Sequence, residues 1–70
     1  MESLANAKVG DVCTIKWMLG NLQALELIRG YEIKEGSQVQ VIQKTLYDVI
    51  IGTDRVRLAI GNDVAERIKI

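Results

Sequence analysis

Six glycines, at positions 10, 20, 30, 36, 52 and 61, cut this chain of 70 residues into short pieces. Pieces of that length suit brief strands joined by tight turns better than a helix bundle, because glycine supplies the backbone angles that turns need. One domain is all the length allows, spanning residues 1–70. A chain of this size buries about 60% of its unfolded surface, enough for a single small core.

Between the glycines the hydrophobic pattern changes period. From Asp11 to Trp17 the residues alternate, with Cys13, Ile15 and Trp17 on one side and Val12, Thr14 and Lys16 on the other, which predicts a first strand. Asn21 to Arg29 instead carries Leu22, Leu25 and Ile28 at helical steps, with Tyr31 beyond Gly30. Asn21 is suited to cap that helix and Gly30 to end it in the left-handed conformation.

After Gly36 the alternation returns. Val39 and Val41 oppose Gln38 and Gln40, Val49 and Ile51 oppose Ile50, and Val56, Leu58 and Ile60 oppose Arg55, Arg57 and Ala59. Ile42 breaks the two-residue period and reads as a bulge or a bend where the strand crosses from one side of a barrel to the other. Leu46 to Asp48 and Gly52 to Asp54 read as the hairpin connections, and Gly61-Asn62-Asp63 as a tight turn. A last strand, Arg67 to Ile70, points Ile68 and Ile70 inward. Leu4, Ala7 and Gly10 form a lead-in, with Leu4 placed to plug the mouth of a barrel. The expected architecture is all-β with small helical content: a five-stranded, SH3-like, partly open barrel with one short helix between strands 1 and 2.

Composition narrows the chemistry. Histidine is absent, which removes the commonest general base and neutral metal ligand together. The nine carboxylates are scattered, and no pair has a spacing that forces convergence. No glycine-rich run ends in lysine and a hydroxyl residue, so a phosphate cradle is not expected. Neither an enzyme nor a cofactor site is predicted. The lone Cys13 cannot close an internal disulfide, which favours a reducing, cytoplasmic setting, and it shares a face with Ile15 and Trp17 as a small core residue. No leader or apolar run of roughly 18 residues is evident. With nine basic and nine acidic side chains the net charge is zero, so nucleic acid is not an expected partner. Arg55, Arg57, Arg67 and Lys69 alternate outward on the last two strands, where charged side chains ordinarily form a solvated face; set side by side they would instead be a basic strip for an acidic partner surface.

One surplus points to a partner. Trp17, Met18, Leu19, Leu27 and Tyr31 add more large apolar surface around the helix than its buried stripe can hide, and such side chains are enriched in interface cores. These five are the candidate partner-binding residues.

The order Leu4, Ala7, Gly10, a strand, a helix with Leu25 and Ile28, then Tyr31-Glu32-Ile33-Lys34-Glu35-Gly36-Ser37-Gln38-Val39, and finally Arg57-Leu58-Ala59-Ile60 with Ala65 and Ile68, resembles the FeoA family. Members usually carry glycine where Glu32 stands and a basic residue where Leu27 stands. A shorter Thr45-Leu46-Tyr47-Asp48 replaces their proline-glycine-aspartate loop. The resemblance implies an SH3-like cytosolic protein of bacterial ferrous iron transport, hence a link to transition metal ions. It also implies a non-enzymatic accessory that contacts the membrane transporter FeoB, whose cytosolic part binds GTP. The same barrel is similar to the C-terminal domain of metal-dependent repressors, which leaves a freestanding metal-sensing or regulatory module as the alternative. Self-association through an open barrel edge is a third possibility.

Overall fold

Alternating side chains become strands here wherever one face can be buried. The computed structural model describes residues 2–70. After a short 3-10 turn at Leu4–Asn6 come β1 (Val12–Thr14), β2 (Trp17–Met18), α1 (Leu22–Gly30), β3 (Gln38–Lys44), β4 (Asp48–Gly52), β5 (Arg57–Gly61), α2 (Asn62–Ala65) and β6 (Ile68–Lys69). Four strands form an antiparallel sheet in the order β1-β3-β4-β5, and β2 pairs with β6 in a separate antiparallel ladder. The two sheets do not close into one ladder, so β1 and β5 are outer strands. Leu4, Ile15, Ile33, Val39, Val41, Val49, Ile51 and Ile68 fill the space between them and are almost wholly buried.

Among the described residues six strands therefore stand where the sequence predicts five. The expected strand Asp11 to Trp17 splits because the chain changes sheets. Ile15 still donates to the Ser37 carbonyl beside β3, at 2.9 Å, whereas the next residue, Lys16, donates to the Lys69 carbonyl of β6, at 2.7 Å. Side-chain alternation slips at that corner, so Met18 points inward and Trp17 outward. The helix accordingly lies between β2 and β3. Gly61-Asn62-Asp63, read as a turn, opens the four-residue helix α2.

Other local readings hold. The β3 to β4 register shifts between Val41 and Gln43, which makes Ile42 the bulge. Thr45 and Thr53 build the two hairpin loops alike. Each hydroxyl accepts from the amides two and three residues on, and each main-chain amide donates to the carbonyl three residues on.

Among the described residues no ladder sets the four basic side chains side by side: β5 ends its sheet, β6 pairs with β2, and Arg55 and Arg67 lie just before those two strands. Arg55 pairs with Glu32 at 3.1 Å, and the Lys69 ammonium donates to the Glu66 carbonyl at 3.0 Å.

Candidate partner-binding surface

The helix α1 is held at both ends by groups visible in its own sequence. The Asn21 side-chain oxygen accepts from the amides of Gln23 and Ala24, at 2.9 and 3.2 Å, satisfying donors that have no partner inside the helix. At the other end the Glu32 amide donates to Arg29 and the Ile33 amide to Ile28. This is a Schellman closure, with Glu32 as its left-handed residue at φ 63°. Gly30, expected in that role, is the last helical residue. Glu35 lies near this end, 3.5 Å from Arg29, and its own main-chain amide, with the guanidinium, holds its carboxyl below the usual range.

Only Leu25 and Ile28 of α1 face the core. Leu22, spaced as part of the buried stripe, is the first residue of the helix and is 74% exposed. Leu27 is 67% exposed and sits on an open apolar groove of about 160 Å³. Ala24, Leu27 and Ile28 form one wall of it, Leu58 and Ala59 of β5 the other, and Val64 of α2 closes one end. Val64 also borders a second hollow with Leu19, Asn21, Asp63 and Arg67, which links Leu19 to the groove.

The five candidate residues do not form one patch. Leu27 and Leu19 border these joined hollows, whereas Met18 belongs to the core and offers no docking surface. Trp17 is exposed on β2 opposite Lys69. Tyr31 borders a separate polar hollow with Glu32, Thr53 and Arg55. Sequence reasoning left out Leu58, Ala59 and Val64 as groove residues. Ala59 did carry a signal, since it follows Arg55 and Arg57 on a face whose other members are charged.

Cys13 is buried, and desolvation with the nearby Asp11 charge pushes its thiol up. Among the described residues no three of His, Cys, Asp or Glu come together as a metal site. No helix among the described residues is long and apolar enough to cross a membrane.

Residues 2–70 match the FeoA domain. The chain belongs to the FeoA domain family. A solved structure described as the iron uptake regulatory protein FeoA superposes on this FeoA domain with a TM-score of 0.79 and 27% identity, covering 96% of this chain and 89% of that one. A manganese-dependent transcriptional repressor superposes at 0.84 with 18% identity, and the manganese regulator SloR at 0.78 with 20%. Both superpositions cover 96% of the FeoA domain but only 39% and 32% of the repressors, so the likeness there is of fold. Curated proteins yield no match in sequence. The SH3-like fold shared by FeoA proteins and repressor C-terminal domains fits this mostly β chain with its unclosed sheets.

Proposed function

We propose that this FeoA domain is a non-enzymatic, cytoplasmic accessory of bacterial ferrous iron uptake that docks onto the cytosolic GTP-binding part of the transporter FeoB. The observation that carries this reading is the apolar groove between α1 and β5, with Leu27 exposed on its rim. A small domain that leaves a leucine in the open beside a groove gains from covering it with a partner. Docking can bias the transporter's conformations only by binding them unequally.

The test is titration of the transporter's cytosolic part with unaltered and Leu27→Asp protein. The substitution weakens binding about tenfold or more. The thermal midpoint hardly moves, because exposed substitutions cost within about 0.5 kcal/mol. Equal affinity of the two forms overturns the reading. Calorimetry with ferrous or manganous ion addresses the metal-sensing alternative, which requires stoichiometric uptake by the isolated chain. The scattered carboxylates predict none.

A further inference from the structure

The groove has one property that apolar surface alone does not explain: its β5 wall is a row of unused main-chain groups. Thr53 donates to the Val56 carbonyl and Asn62 to the Tyr47 carbonyl, both at 2.8 Å. Bonded pairs alternate in an antiparallel ladder, so between these two points Leu58 with Ile51 and Ile60 with Val49 are the bonded pairs. The amides and carbonyls of Arg57 and Ala59, and the amide of Gly61, therefore point away from β4. β5 has no strand on that side, and these groups have no hydrogen-bond partner among the described residues. Such an edge is a template for an added strand.

We propose that this edge takes up an extended segment of a partner protein as a fifth strand of the sheet, laid between β5 and α1. The inference builds on the groove-docking reading and specifies its mode. Strand addition supplies main-chain hydrogen bonds for affinity and uses alternate side chains for choice. Residues opposite Leu58 and Ile60 point to the groove side, beside Leu27, and have to be apolar. Those opposite Arg57, Ala59 and Gly61 point to the outer face.

Charge fixes the ends. Arg57 stands at one end of the edge, while the Asp63 carboxylate lies at the other, with its Oδ1 2.9 Å from where a Cβ on Gly61 would sit. An acidic residue opposite Arg57 and a basic one opposite Gly61 complement both. Antiparallel pairing then reads basic, apolar, any residue, apolar, acidic from the N-terminus. A second copy of this chain does not fit, although its β5 has an edge of its own. The side chains it would need to insert are its Leu58 and Ile60, and Ile60 is already committed to the core while Leu58 packs against it.

The experiment titrates a capped peptide, Lys-Val-Thr-Val-Asp, into the full chain and follows amide hydrogen exchange and chemical shifts by NMR. The expected result is saturable protection of the Arg57, Ala59 and Gly61 amides. The charge-reversed peptide, Asp-Val-Thr-Val-Lys, binds several-fold more weakly, by about the effect of two rim charges. Ala59→Pro removes an amide that β4 does not use, which edge strands tolerate, and weakens binding about tenfold or more. Exchange on the unaltered chain decides the matter even where proline at 59 prevents folding. No protection along the edge overturns strand addition, as does undiminished binding by a folded Ala59→Pro protein. Protection that grows with protein concentration alone, alongside dimers in sedimentation, assigns the edge to a second copy and also overturns it.

The two readings fail separately. Peptide uptake without binding of the transporter's cytosolic part sinks the choice of partner and leaves strand addition standing. Transporter binding that Leu27→Asp abolishes and Ala59→Pro spares does the reverse.

Discussion

The Ile33 amide donates to the Ile28 carbonyl at 3.4 Å, and both side chains lie in the core, so the end of α1 is closed twice over by one pair of residues. Between them Glu32 takes a left-handed conformation at φ 63°. That conformation costs a residue with a side chain about 1 to 2 kcal/mol. Against this stands one ion pair to Arg55 in which both side chains are well exposed, a contact worth about 0 to 1 kcal/mol. Glu32→Gly is therefore expected to stabilise the chain by up to about 1 kcal/mol, raising Tm by several degrees in a domain of this size. Thermal unfolding followed by circular dichroism measures it. A fall in Tm would show that the ion pair outweighs the backbone strain.

A second tie joins distant parts of the chain. The Lys44 ammonium donates to the carbonyls of Ala5 and Ala7, at 2.7 and 3.0 Å, and so fastens the N-terminal turn carrying the buried Leu4 to the far end of β3. Lys44→Met keeps the apolar stem and removes both bonds. The expected loss is about 1 to 2 kcal/mol. Denaturant titration reads this as a lower midpoint at unchanged slope. An unaltered midpoint would mean that water replaces the ammonium at no cost.

What was legible in the sequence is what depends on neighbours a few residues away. Asn21 caps α1, Leu25 and Ile28 face the core, Val39 and Val41 alternate inward, and Ile42 breaks the ladder, all from spacing alone. What was not legible depends on which strand lies beside which. The inward phase of Cys13 and Ile15 cannot be extended to Trp17, because Lys16 bonds to a different sheet. The groove escaped notice for the same reason. Leu27, Ala59 and Val64 lie on three separate elements, and only the open β5 edge brings them to one hollow.

Burial of Cys13 predicts a pH dependence. Desolvation, with the Asp11 charge adding to it, raises the folded thiol above its ordinary value of 9.0, so the unfolded chain ionises first. The thiol's share of stability is complete below the unfolded value and is lost as pH climbs through the folded one. Between pH 8 and 11, then, unaltered protein loses stability faster than Cys13→Ala protein, the difference reporting this one proton. Parallel curves would place the thiol in water. Iodoacetamide supplies an independent check: alkylation is slow in buffer and fast in denaturant, since only an accessible thiolate reacts.

The corner at Lys16 makes the sharpest contrast. Trp17 is 44% exposed and its neighbour Met18 only 5%. If strand alternation ran unbroken from Cys13, Trp17 would be the core residue and its loss the costlier. The observed phase reverses that order. Met18→Ala is expected to cost about 2 to 4 kcal/mol through the cavity it leaves, and Trp17→Ala about 1 to 2, because much of the indole remains in water. Equilibrium unfolding of the two variants gives the ranking directly. Trp17 is also the only tryptophan, so iodide quenching of native fluorescence reports its exposure without any substitution. An unquenched emission together with the larger loss at Trp17 would return the indole to the core and move the corner from Lys16 to a later residue.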